Sequence, residues 1–161
     1  MSYQKLSNGP GRKKTMFSQT GEYALRAIVH IAQKNTDQTV GAKEIAQARG
    51  IPLNYLSKIL RELVRAGLLD SARGVGGGFR IAKPLEEIRV ADVIGPFDDV
   101  SRKTRCPLGK TDCSRQDVCA IDAKWRPMAD AYQNFVENTT LDEFAESDPC
   151  RKELDVCGQT R

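Results

Sequence analysis

The chain has 161 residues, 40% of them hydrophobic and 29% charged, with 13 glycines and 7 prolines. These proportions leave room for one domain with an appended element and exclude collagen-like and wholly disordered chains. The net charge of +4 is divided unevenly: residues 1–83 carry 14 basic and 5 acidic side chains, residues 84–161 carry 11 and 16, so a basic front half, fit for a polyanion, precedes an acidic rear half.

Residues 1–14 contain Asn8-Gly9-Pro10-Gly11 and Arg12-Lys13-Lys14 and read as a basic tail with nothing to build a core. They hold no apolar signal-peptide segment, and no later window nears the ~18 apolar residues of a membrane span. The expectation is a cytoplasmic protein with no membrane partner. Over residues 22–33, apolar residues at Leu25, Ile28, Val29 and Ala32 mark one face of an amphipathic helix. A short second helix is expected over 42–48, with Ile45 and Ala46 inward.

Gly50 then supplies a sharp turn, since it takes positive φ without a Cβ clash. Pro52 opens a third helix over about 53–66, which Gly67 closes. Leu56, Ile59, Leu60 and Leu63 form its buried stripe, leaving Asn54, Tyr55, Ser57, Lys58, Arg61 and Arg65 outward. Short helix, glycine turn and basic-faced helix describe a helix-turn-helix. Residues 68–73 and 79–83 follow as two strands joined by Gly74-Val75-Gly76-Gly77-Gly78. A nucleotide-binding loop is excluded: no Gly-Lys-Ser/Thr is present, Phe79 stands where G-x-G-x-x-G needs its last glycine, and a strand follows rather than a helix. The hairpin reads as the wing of a winged helix, with Arg73 and Arg80 placed for a phosphate or a narrow minor groove.

Three of the five cysteines, Cys106, Cys113 and Cys119, stand in a polar stretch as C-x6-C-x5-C. In a reducing compartment such thiols are metal ligands or sensors more often than disulfides. Zinc usually takes a C-x2-C knuckle and four good ligands, and the single histidine, His30, is remote and reads as a packing residue. Three thiolates on a long loop suit an iron–sulfur cluster; a zinc site or a thiol redox switch stands as the alternative. Beyond them Ile121, Trp125, Met128, Tyr132 and Phe135 recur at the spacing of a helix–helix seam, read as a homodimer interface. Pro127 is expected to kink or restart that helix near Arg126. Leu141 to Phe144 suggest a last short helix, and Cys150 and Cys157 read as spare thiols in a polar tail. No Ser/His/Asp constellation or paired carboxylates are evident, so neither an enzyme nor a small-molecule substrate is expected.

Glu22-Tyr23-Ala24-Leu25-Arg26-Ala27, Gly50-Ile51-Pro52 with Tyr55-Leu56, the wing Arg73-Gly74-Val75-Gly76-Gly77-Gly78-Phe79, and the three cysteines ahead of Trp125 together resemble the IscR/NsrR-type bacterial iron–sulfur winged-helix transcription regulators. The resemblance spans about residues 16–144. It implies a mainly α fold with a small β-hairpin wing, a winged helix-turn-helix plus a long dimerisation helix, and binding to double-stranded promoter DNA as a homodimer, repression being the commoner mode. It further implies one 2Fe-2S or 4Fe-4S cluster per subunit on Cys106, Cys113 and Cys119, sensing redox state, nitric oxide or iron supply. The fourth ligand varies among such regulators, and the matching positions here are Glu22 and Asp122. Arg73 and Gly74 match the wing motif, Lys58 and Tyr55 fall where phosphate contacts are expected, and Ser57 replaces an acidic groove residue of the best-known relative. The expected organisation is a basic tail (1–14), a DNA-binding domain (15–98), a cysteine loop (99–120), a dimerisation and terminal helix (121–146) and a polar tail (147–161).

Overall fold

The computed structural model describes residues 16–34, 38–109 and 119–146. The two expected tails, together with Cys113, Cys150 and Cys157, lie outside the described residues. The elements in chain order are α1 (Gln19–Gln33), α2 (Ala42–Arg49), α3 (Leu53–Arg65), β1 (Leu69–Ala72), β2 (Gly78–Ile81), a 3₁₀ turn (Leu85–Glu87), α4 (Val90–Ile94), α5 (Val100–Thr104), α6 (Ala120–Asn138) and α7 (Leu141–Glu146). The fold is mainly α with one antiparallel hairpin, as expected.

Helix α1 starts three residues earlier than its apolar pattern suggests, because Ser18 caps it: the hydroxyl accepts from the Gly21 amide at 3.0 Å. Its buried face is also rotated. Ala24, Ala27, Ile28 and Ile31 are buried, whereas Leu25 and Val29 pack only at the margin. Small alanines score weakly in a hydropathy pattern, yet they let neighbouring helices approach closely. In α3 the four predicted core residues, Leu56, Ile59, Leu60 and Leu63, are all buried. Between α2 and α3, Gly50 adopts φ 62° and ψ 35°, a left-handed conformation costing a residue with a Cβ roughly 1–2 kcal/mol. The Ile51 amide bonds to the Ala46 carbonyl at 3.0 Å and closes the turn.

The strands pair antiparallel with Asp70 opposite Arg80 and Ser71 opposite Phe79. They are shorter than expected, so Arg73 lies in the connecting loop rather than in a strand. Val40 and Phe79 exchange both backbone hydrogen bonds, at 2.8 and 2.9 Å, and moor β2 to the segment before α2.

One core joins α1, α2, α3 and the wing base, and Leu141 of α7 reaches into it. A smaller cluster, Val90, Ile94 and Val136, fastens α6 to α4, with Phe17, Leu25, Tyr132 and Phe144 packed around it. The expected helix restart near Arg126 does not occur: α6 runs unbroken through Pro127. Inside a helix proline removes the hydrogen bond its own amide would make and crowds the carbonyl four residues earlier, a cost that the burial of Ala129 and Val136 in the segment beyond it helps to offset. The stretch expected as a cysteine loop opens with the single-turn helix α5, capped by Asp99, whose carboxylate accepts from the Arg102 amide at 3.1 Å.

Candidate DNA-facing surface and cysteine cleft

The outer face of α3 carries Asn54, Tyr55, Lys58, Arg61 and Arg65, all exposed. Ser57 is half-buried, and its hydroxyl donates back to the Leu53 carbonyl at 2.9 Å, which leaves its oxygen as an acceptor. Tyr55 is tethered rather than free: its hydroxyl shares a 2.7 Å hydrogen bond with Thr20 Oγ1, and its ring meets Tyr23 edge-on at 5.9 Å. The cations divide into two groups. Arg65 is paired with Glu62 at 3.0 Å, and Arg80 with its cross-strand neighbour Asp70 at 3.2 Å. Lys58, Arg61 and Arg73 make no ion pair with any described residue and keep their full charge toward solvent. Gly74, at φ 96°, turns the chain directly after Arg73. The lone histidine packs between α1 and α2, where its Nδ1 accepts from Arg49 Nε at 3.2 Å, in keeping with a packing residue.

A cleft of about 680 Å³ opens between the end of α5 and α6. Cys106, Asp122, Trp125, Arg105 and Arg126 are among its lining residues. Cys106 and Cys119 are both half-buried, and Cys119 occupies the N-cap of α6 without a side-chain capping bond. A helix N-terminus favours negative charge, and Arg105 adds a cation, whereas the Arg126 charge is already met by Asp122 and Asp130 lines the cleft as well. Soft thiols beside positive charge are the donor chemistry a negatively charged iron–sulfur centre requires, so the described residues fit such a group as part of its ligand set. They do not complete it: among the described residues no three His, Cys, Asp or Glu side chains converge as a metal site, and Cys113 lies outside them.

The two candidate carboxylates are differently placed. Asp122 lines the cleft, held by two bonds from Arg126 at 2.8 and 3.0 Å. Glu22 lies in the first turn of α1, bonded to Arg26, and is not among the residues lining the cleft. The sequence reading missed Arg105, Arg126 and Trp125 as neighbours of Cys106. Arg105 had a legible signal in adjoining Cys106, and Arg126 in its i+4 spacing from Asp122; Trp125 had none.

The three-helix head, the basic outer face of α3 and the moored hairpin define a winged helix-turn-helix transcription regulator. A family model described as "Rrf2: Iron-dependent Transcriptional regulator" matches residues 17–147. The chain belongs to the Rrf2 family. It is 34% identical over 139 residues to the HTH-type transcriptional regulator IscR of Escherichia coli, covering 86% of this chain and 83% of that one. Among solved structures it is similar to IscR of T. potens, at 25% identity and TM-score 0.64 over 82% of this chain and 87% of that one. It is likewise similar to an oxidised form of CymR from Staphylococcus aureus, at 28% identity and TM-score 0.64 over 83% of this chain and 98% of that one. The protein is thus a DNA-binding regulator of the IscR-like kind and not an enzyme. No helix among the described residues is long and apolar enough to cross a membrane.

Proposed function

We propose that the protein is a cytoplasmic, homodimeric promoter-binding repressor whose hold on DNA is set by an iron–sulfur cluster on Cys106, Cys113 and Cys119. The observation carrying this reading is the cleft that gathers Cys106, Asp122 and two arginines at the N-terminal half of α6. When bound, the cluster supplies a centre that reacts with oxygen or nitric oxide and is lost when iron is short. The chain's own residues do the rest. The thiolates would hold the centre, Arg105 would offset part of its charge, and a carboxylate would complete the set, Asp122 from the same chain or Glu22 from a second copy. A hard oxygen ligand among soft ones makes one metal corner labile, which suits a sensor. On the DNA side, Asn54, Ser57 and Arg61 read base edges, while Tyr55, Lys58, Arg73, Gly74 and Arg80 engage the backbone and minor groove.

Protein purified without oxygen is expected to be brown and to contain iron and sulfide. Asp122→Ala or Glu22→Ala, whichever removes the fourth ligand, then alters the cluster's absorption and Mössbauer spectra. Wild-type spectra in both variants would remove carboxylate ligation. Colourless protein with stoichiometric zinc, or one that responds only to oxidants through its thiols, would establish the other reading. The likeness to a regulator solved in an oxidised form is what supports that second reading.

Pairing of two copies is supported by α6. Ile121, Met128 and Phe135 recur every seven residues and remain 43%, 65% and 36% exposed, an apolar stripe that the described residues leave uncovered. Met128 and Phe135 border a groove of about 640 Å³ shared with Trp125 and Tyr132. Met128→Glu places a charge in that stripe without touching either core. Analytical ultracentrifugation should find it monomeric, with the circular dichroism of the parent and weak promoter binding.

A further inference from the structure

Lys103 stands three residues before Cys106, on α5, and its ammonium joins four parts of the molecule. It donates to the Met16 carbonyl at 2.5 Å, lies 3.4 Å from Asp98 Oδ1, and sits over the rings of Phe17 and Tyr132 at 5.5 and 5.9 Å. The Asp98 side chain is only 8% exposed, and its other oxygen accepts from the Ser18 amide at 2.7 Å at the entry of α1. The fit is close: a Cβ at Gly21 would come within 2.7 Å of that oxygen, so the first turn of α1 is shaped around Asp98. Burial and the Asp98 charge both hold the Tyr132 phenol above its ordinary pKa, as expected of a group packed into such a junction. The opposite flank of the same turn meets the recognition helix, through the Thr20–Tyr55 hydrogen bond at 2.7 Å and the Tyr23–Tyr55 ring contact. An uninterrupted series of contacts therefore runs from the helix ending beside Cys106, through Lys103 and Asp98, across one turn of α1, to Tyr55 on α3.

We propose that Lys103 is a positioning residue that couples the cysteine cleft to the DNA-reading helix, by pinning α5 and the first turn of α1 together. The proposal rests on the cluster reading above for its input, and adds the route by which that input reaches DNA. Lys103 touches no expected ligand and lies on no DNA-facing surface. Its removal therefore changes how far DNA affinity depends on the state of the thiols, rather than abolishing either function. Contact in series is not by itself coupling, which has to be measured as a dependence of one site's affinity on the state of the other.

The test uses the full chain and a duplex selected by the wild-type protein from a random-sequence pool. Affinity is measured by fluorescence anisotropy in the anaerobically purified, iron-containing state and after iron removal by a chelator. Couplings of ordinary size change affinity by roughly 5- to 150-fold, and that ratio is the expected wild-type result. Lys103→Met keeps the aliphatic stem and loses the ammonium; Thr20→Val keeps the shape at α1 and loses the hydroxyl bonded to Tyr55. Both are expected to bring the ratio to within about twofold of unity, while Lys103→Arg retains it. In the iron-free protein, Lys103→Met should also speed alkylation of Cys106 by iodoacetamide, read peptide by peptide in a mass spectrometer, whereas Thr20→Val should not.

A wild-type ratio already near unity would overturn the cluster reading, and this inference with it. A normal wild-type ratio that persists in either variant would overturn the coupling route alone, as would unchanged Cys106 alkylation in Lys103→Met. Because Lys103 also borders the apolar groove on α6, sedimentation accompanies each measurement. A monomeric Lys103→Met would show that it acts through pairing of copies, and would overturn the proposal.

Discussion

Serine at Cys106, Cys113 and Cys119 together is expected to leave a folded, DNA-binding protein that no longer responds to iron supply, air or nitric oxide. Neither Cys106 nor Cys119 belongs to the buried clusters that join the helices. Away from cores a substitution usually shifts stability by about 0.5 kcal/mol or less, and at Cys119, the N-cap of α6, serine is a favoured capping residue. A hydroxyl is a hard, protonated donor that does not replace a thiolate on iron, so the variant should purify colourless with iron at background. The functional effect is larger. Ordering a loop costs about 1–2 kcal/mol per residue in backbone entropy, and a metal centre offsets this through its ligand bonds. Once the ligands are gone, nothing distinguishes the treated from the untreated protein, and promoter affinity should be the same before and after each stimulus. A triple variant whose promoter occupancy still responded to air or nitric oxide would place the sensor elsewhere in the chain.

The head was legible because its information is local. Leu56, Ile59, Leu60 and Leu63 mark one face of a helix at ideal spacing, Gly50 and Gly67 punctuate it, and the glycine run after Arg73 admits only a hairpin in that context. Less was legible wherever contact crosses the sequence. Ser18 and Asp98 are 80 positions apart, so neither periodicity nor motif indicates that one holds the other. The short helices α4 and α5 are five residues each, too brief for a period to emerge, and it is α5 that carries Lys103 toward Cys106. Pro127 illustrates the opposite failure. A strong local signal for interruption met a helix that continues through it, and Ala129 and Val136 beyond the proline are buried by tertiary packing that no local pattern reports. For the cleft, Arg105 adjoins Cys106 in the sequence and Arg126 falls one turn after Asp122, but that these two stretches face each other emerges only from the folding of α5 against α6.

Alanine at Arg73 should weaken promoter binding by roughly tenfold to a hundredfold at low salt, the range for losing a hydrogen bond to a charged partner. What decides the effect is which cations have charge to give. Arg65 and Arg80 are each held by a carboxylate, at 3.0 and 3.2 Å, so much of their field is cancelled before DNA arrives. Arg73 has no such partner among the described residues, and it sits exposed in the loop between β1 and β2. Each phosphate neutralised releases counterions and contributes about 0.9 to the slope of log affinity against log salt. With two wings in the proposed dimer, Arg73→Ala should flatten that slope by about 2. Replacing Asp70 and Arg80 together removes no net charge and, because Asp70 already meets much of the Arg80 charge, should flatten the slope by less than Arg73→Ala does. Thermal melting should be unaffected in both, since all three side chains are exposed. A wild-type slope and footprint in Arg73→Ala would take the wing arginine out of the interface and leave Lys58 and Arg61, on the recognition helix, to supply the electrostatic hold alone.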